Sequence, residues 1–104
     1  MANKEQKVEI ENPWAIYSGV MFPIGVGKVL REYSKGDVTI QYSEGQMYPP
    51  ESWDGKYVER FSTIVDAAKN YFGRQGEYHS LGRLAESLAN RFPSEKECLA
   101  ELLE

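Results

Sequence analysis

The feature that most constrains the fold of this chain is a predicted β-hairpin over residues 27–43. Residues 38–43 (VTIQYS) alternate apolar and polar side chains, which is the period of two of a half-buried strand. Residues 27–33 (GKVLREY) precede them, and the connecting residues 34–37 (SKGD) have the length and chemistry of a hairpin loop. Gly36 supplies the residue that can adopt a positive φ in such a loop. The chain is therefore predicted to contain an antiparallel sheet.

Further strands are predicted on both sides of this hairpin. Residues 7–11 alternate and predict a first strand. Residues 14–17 fit either a short strand or one helical turn, and we favour a strand. Residues 18–27 hold three glycines and a proline and predict an irregular loop. Residues 46–55 contain two adjacent prolines, which cannot donate ladder hydrogen bonds, so they predict a long loop before a closing strand at 56–61.

The pattern changes to helical spacing after residue 61. Thr63, followed by Asp66, predicts the capped start of a first helix that ends at Gly73. The apolar positions of this helix are Ile64, Val65, Ala68, Tyr71 and Phe72. A first helix thus follows the sheet directly.

Two more helices are predicted after it. Ser80 caps the second, whose apolar stripe comprises Leu81, Leu84, Ala85, Leu88, Ala89 and Phe92. Ser94 and Glu97 predict a capping box for a short third helix. The expected fold class is α+β: a small antiparallel sheet followed by three short α-helices, in one domain over residues 1–104 with a β part at 7–61 and a helical part at 62–104.

Net charge, cysteine content and the length of apolar runs make several functional classes less probable for this chain. The chain has 104 residues and a net charge of −4, so it lacks the basic excess that binding to phosphates usually requires. The single cysteine, Cys98, excludes an intramolecular disulfide and fits a reducing compartment. No apolar run approaches the roughly 20 residues that cross a bilayer. We expect a cytoplasmic protein without a membrane segment, for which nucleic acid is an unlikely main partner.

No motif of a catalyst or a cofactor site is complete. Gly25, Gly27 and Lys28 resemble part of a phosphate loop, but the remaining positions do not match and a strand follows, so we interpret the glycines as structural. His79 is the only histidine and has no visible partner for catalysis or zinc binding. Acidic neighbours are expected to raise the pKa of Cys98, which we place partly buried on the last helix. We therefore predict no enzyme, no metal and no cofactor, and keep an enzyme built on His79 only as a third hypothesis.

The first half of the chain resembles the SH3-like small barrels, a group that includes Tudor modules. The resemblance rests on residues 27–30 (GKVL), 38–45 (VTIQYSEG) and 57–61 (YVERF). It covers about half of the chain and concerns the fold only. A barrel of this kind implies a binding module and not a catalyst.

Aromatic residues are the most informative candidates for binding. Those on predicted strands and loops are Trp14, Tyr17, Tyr33, Tyr42, Tyr48, Trp53 and Tyr57. Aromatic side chains could contact a protein partner, a proline-rich peptide or a cation, or they could simply form the core and surface of a small sheet. Tyr48 and Trp53 lie in the proline-containing loop, where burial is less obligatory, so both roles stay open for them. The predicted partner-binding set is Tyr48, Trp53, Tyr42, Tyr57 and Tyr33.

The leading hypothesis is a non-enzymatic module that binds another protein, as a small acidic adaptor or an inhibitor. The lack of catalytic residues and the small size also suggest a viral protein, carried by a phage or a mobile element. The alternative is a nucleic-acid-associated barrel that uses Lys28, Arg31, Lys35, Lys56 and Arg60. Clustering of these five cations on one face would favour that alternative.

Overall fold

The computed structural model describes residues 10–19, 23–45, 51–75 and 80–103. A five-stranded antiparallel sheet precedes three α-helices, which confirms the predicted α+β class. The strands are β1 (Trp14–Ser18), β2 (Pro23–Glu32), β3 (Val38–Gln41), β4 (Glu51–Trp53) and β5 (Val58–Phe61). Their order across the sheet is β4-β3-β2-β1-β5.

The long strand β2 bends and pairs with a different neighbouring strand along each half of its length. Its first half pairs with β1 and its second half with β3, and Lys28 has partners in both. The register shifts between Val29 and Arg31, which is a bulge of the kind that increases strand twist. The prediction of an irregular loop is wrong for residues 23–27, because β2 begins at Pro23. A Cβ on Gly27 would lie only 2.5 Å from Cγ2 of Ile40, so the glycine allows close approach and is structural.

The hairpin between β2 and β3 is confirmed. The backbone N–H of Gly36 donates to the carbonyl of Tyr33, and the N–H of Tyr33 donates to the carbonyl of Asp37, both at 2.9 Å. Gly36 has a φ of 96°, a left-handed conformation that favours glycine. β3 ends at Gln41, two residues earlier than the alternation suggests.

The prediction of a loop throughout residues 46–55 is wrong for its second half. Glu51–Trp53 form the edge strand β4, in which Trp53 pairs with Val38. A 3₁₀ turn, Gly55–Tyr57, then leads into β5. Gly55, the first residue of this turn, lies close to the carbonyl oxygen of Gly36, so the turn packs against the β2–β3 hairpin.

The helices are α1 (Ile64–Gln75), α2 (Leu81–Arg91) and α3 (Lys96–Leu99). The predicted caps of the first two are confirmed, since the hydroxyl of Thr63 accepts from the N–H of Asp66 and that of Ser80 from the N–H of Arg83. Gly73 does not end α1, which continues to Gln75. The φ of Gly73 is not positive, and the helix tolerates it as an interior residue. Short 3₁₀ turns, Pro93–Glu95 and Ala100–Leu102, flank α3.

Two apolar clusters lie on opposite faces of β1. The helix-side cluster combines Trp14, Ile16 and Val26 with buried residues of the helices, and Phe92 packs edge-on against Trp14 at 5.0 Å. The sheet-side cluster consists of Ala15, Tyr17, Val29, Val38 and Ile40, with Trp53 and Val58 packed against it. Alternate residues of β1 therefore enter different clusters, and the strand is buried on both faces.

Several predictions concern residues outside the described part of the chain. Residues 7–9 of the predicted first strand, Tyr48 and His79 belong to this group. Ile10 and Glu11 are described and do not form a strand. Among the described residues, no helix has the length and apolar character that crossing a membrane requires.

Candidate functional site

The structure separates the predicted aromatic set into buried and exposed members. Trp14 and Tyr17 are core residues. Trp53 turns towards the sheet-side cluster, where its ring lies 4.9 Å from the ring of Tyr17. Its pairing with the buried Val38 places it on the inner face of the sheet. Trp53 is consequently half-buried and takes part in packing.

Tyr33 and Tyr57 lie in two turns that contact each other, and we call these turns the hairpin end (residues 33–37 and 55–57). Tyr33 begins the β2–β3 turn, and Tyr57 ends the 3₁₀ turn that packs against Gly36 of the same hairpin. Their side chains are 45% and 40% exposed, respectively. Exposure of two large aromatic side chains in neighbouring turns is a recurrent property of protein-contact surfaces.

A cation lies beside each of the two tyrosines. The hydroxyl of Thr39 lies 3.5 Å from that of Tyr33, and hydrogen bonds from Thr39 and Arg31 lower the pKa of Tyr33. Nζ of Lys56 lies 5.2 Å from the ring centroid of Tyr57. The hairpin end therefore combines aromatic faces with positive charge.

Tyr42 lies at the opposite end of β3 and belongs to a different environment. The guanidinium carbon of Arg91, the last residue of α2, stands 4.1 Å above the Tyr42 ring. One terminal nitrogen of the guanidinium donates to the carbonyls of Val26 and Tyr42, each at 3.2 Å. The carbonyl of Arg91 in turn accepts from the backbone N–H of Glu44 at 2.8 Å and from the hydroxyl of Ser43 at 3.2 Å. Arg91 thus joins the sheet to α2, a role that sequence reasoning missed.

A second junction involves Glu44 and Ser94. The backbone N–H of Ser94 donates to Oε1 of Glu44 at 3.1 Å, and its hydroxyl donates to Oε2. These hydrogen bonds lower the pKa of Glu44. The predicted capping box of Ser94 with Glu97 is therefore wrong, because α3 has no side-chain cap and the serine bonds instead to Glu44 in the turn after β3. No local pattern could reveal a partner 50 positions away.

The five cations of the nucleic-acid hypothesis do not share one face. Lys28 pairs with Trp14 and lies over its ring, whereas Arg60 pairs with Ala15 on the other face of the sheet. Arg60 also donates to the carbonyls of Glu11 and Asn12 at 2.7 Å and forms an ion pair with Glu32. The guanidinium of Arg60 is thus occupied by the protein itself.

The described residues contain no group of three His, Cys, Asp or Glu side chains that could hold a metal ion. Cys98 is exposed, contrary to the predicted partial burial. Local desolvation and the carboxylates of Glu95 and Glu101 raise its pKa, as the acidic neighbours predict. A thiol in this environment is a poor nucleophile.

Comparison with protein-family models, with curated proteins and with solved structures finds no match to this chain. Functional conclusions rest on the arrangement of its own residues.

Proposed function

We propose that this protein is a non-enzymatic binding module that recognises another protein through the hairpin end of its sheet. The observation that carries the proposal is the position of Tyr33 and Tyr57, two exposed aromatic side chains in turns that the contact of Gly36 with Gly55 brings together. Tyrosines bury a large contact area for little loss of side-chain entropy, which is why they are enriched in interfaces. Arg31 and Lys56 would favour a partner surface of negative or neutral charge.

The SH3-like barrel forms part of the same proposal. It is supported by five antiparallel strands, by the bulge that bends β2 between its two partners, and by the inward-facing cluster on one side of the sheet. A cytoplasmic role as an adaptor or inhibitor is supported by the exposed, unpaired Cys98, which suits a reducing compartment.

The test is affinity capture with the full chain from a nuclease-treated lysate of the native host, followed by mass spectrometry. A Tyr33→Ala/Tyr57→Ala variant should lose the captured proteins, because truncating two contact aromatics typically costs about 2 kcal/mol or more of binding free energy. Nuclease treatment removes proteins that are captured only through nucleic acid.

The matched control is Ile24→Ala, since Ile24 is 50% exposed but lies at the start of β2. It should retain the same proteins as the parent chain. Capture of the same proteins by the parent and by the double tyrosine variant would overturn the proposal, provided that both chains unfold at similar temperatures.

A further inference from the structure

We propose that the outer surface of α2 is a second docking surface, and that its occupant is an acidic segment of a partner protein. This surface, the α2 groove, is separate from the hairpin end and does not depend on it. It consists of two adjoining shallow cavities of about 460 and 560 Å³, both lined by Arg83, Glu86 and Asn90. The first cavity extends to Lys96 and Leu103 beyond α2.

The second cavity extends to Tyr42 and Arg91. The groove therefore crosses from the C-terminal helices, over α2, to the end of β3. Arg83 and Arg91 are eight positions apart, or about 12 Å along the helix axis. An extended peptide covers that distance with about four residues, so a short segment can reach both parts of the groove.

The charge of the groove indicates the chemistry of its occupant. Among the described residues, those that line it include three cations (Arg83, Arg91 and Lys96) and one anion (Glu86), in a chain whose net charge is −4. Within residues 10–19, 23–45, 51–75 and 80–103, the ion pairs are Arg60–Glu32 and Arg74–Glu59. Arg83 and Lys96 are exposed and have no carboxylate partner within this part of the chain. Carboxylates of a partner would form ion pairs with these two side chains.

The groove also offers apolar and aromatic contacts. Tyr42 is 51% exposed, and its ring is held in place by the guanidinium of Arg91. Leu103 is half-buried at the other end of the groove. A segment that combines carboxylates with an aromatic, proline or aliphatic side chain would match both features.

A protein segment fits this surface better than a nucleic acid does. Glu86 lies in the middle of the groove, and Glu95 and Glu97 flank Lys96 in sequence. Successive phosphates of a nucleic acid backbone would be repelled by these carboxylates, whereas a peptide can place one or two carboxylates at the cations alone. We therefore assign the groove to an acidic peptide segment.

The experiment selects a phage-displayed library of random short peptides against the full chain. Selected peptides are labelled with fluorescein, and their affinity is measured by fluorescence anisotropy. We expect peptides enriched in Asp and Glu together with an aromatic, proline or aliphatic residue. Labelled oligo(dT) is measured in parallel as the nucleic acid probe.

Three variants locate the binding. Arg83→Glu/Lys96→Glu should weaken the selected peptides at least about tenfold, since charge-assisted hydrogen bonds are lost and repulsion is added. Lys35→Glu/Lys56→Glu makes the same change of charge at the hairpin end and should leave the affinity unchanged. Glu86→Gln removes the one anion among the described lining residues and should tighten binding. All four mutated cations are exposed, so the fold should tolerate these changes.

The remaining outcomes overturn the inference. They are a failure to select peptides, selection of peptides without acidic residues, and equal weakening by the two charge-reversal variants. Tighter binding of oligo(dT) that is lost in Arg83→Glu/Lys96→Glu would assign the groove to nucleic acid. Acidic peptides that depend on Tyr33 and Tyr57, but not on Arg83 and Lys96, would contradict this inference and support the hairpin end as the binding surface.

Discussion

The two apolar clusters share β1 but differ in size and in the residues that form them. Among the described residues, the helix-side cluster contains fourteen buried side chains, most of them from the three helices, such as Leu84 and Leu88. The sheet-side cluster contains five in the same part of the chain, and it depends on close backbone approach at Gly27 and on the tilted contact between the rings of Tyr17 and Trp53. We infer that the helix-side cluster supplies most of the stability, whereas the sheet-side cluster sets the shape of the sheet that carries the exposed tyrosines.

The largest expected effect is the truncation of Phe92. Phe92→Ala should lower the free energy of unfolding by about 3–5 kcal/mol, because the fully buried ring packs against Trp14 and leaves a cavity. Urea unfolding followed by circular dichroism measures the change. The matched comparison truncates one buried isoleucine in each cluster, Ile16→Ala on the helix side and Ile40→Ala on the sheet side, and the first should cost more. Equal costs for these two variants would contradict the proposed division.

A smaller effect is expected from adding one methyl group to the sheet. Gly27→Ala should cost about 1–3 kcal/mol, because the new Cβ would lie 2.5 Å from Ile40 and 2.8 Å from the carbonyl oxygen of Gln41. The matched control is Gly73→Ala in α1, where no atom lies within 4 Å of the added Cβ. This control should stabilise the chain by about 0.5–1 kcal/mol. Urea unfolding should thus give opposite signs, and stabilisation by Gly27→Ala would refute the close packing of β2 on β3.

The sheet-side cluster should also respond to alkaline pH through Tyr17. Burial raises the pKa of Tyr17 to about 12, whereas a tyrosine of the unfolded chain titrates near 10. The unfolded chain therefore loses this proton first, so the contribution of Tyr17 to stability is complete below pH 10 and declines as the pH rises towards 12. Unfolding measured over this interval should show a weaker decline in Tyr17→Phe. An identical decline in both chains would show that other groups cause it.

The smallest effect concerns the junction of Glu44 with Ser94. Hydrogen bonds from Ser94 lower the pKa of Glu44, so their contribution is present above the ordinary carboxyl pKa and is lost as the pH falls through the lowered value. Ser94→Ala removes the hydroxyl but keeps the backbone N–H. The pKa of Glu44, followed by NMR titration, should rise part of the way to its ordinary value. A pKa that does not change would argue against the hydroxyl contact.

Local patterns predicted much of the fold. The alternation of β3, the turn at Gly36 and the cap at Ser80 depend on neighbouring residues, and the structure contains all three. The apolar stripe of α2 predicted its buried face. Features that arise within a few residues of the chain are therefore visible in the sequence.

Features that depend on distant residues were missed or misassigned. β4 forms because Val38 and Ile40 of β3 supply its pairing partners and its tryptophan packs against Tyr17, although the nearby prolines favour a loop. The same pairing turns Trp53 inward, which the aromatic pattern alone could not predict. The contacts of Arg91 with β2 and β3 join positions far apart in the chain, and only the folded structure brings them together.

The burial of β1 on both faces has a consequence for dissection of the protein. A fragment that ends after β5 would leave Trp14, Ile16 and Val26 without the helices that cover them, and isolated helices of this length are marginal in water. We therefore expect one cooperative unfolding transition, with the same midpoint when it is followed by tryptophan fluorescence and by helical circular dichroism. Attempts to isolate a minimal sheet should give aggregating material, so truncation is a poor route to mapping either binding surface, and point substitution is the better one.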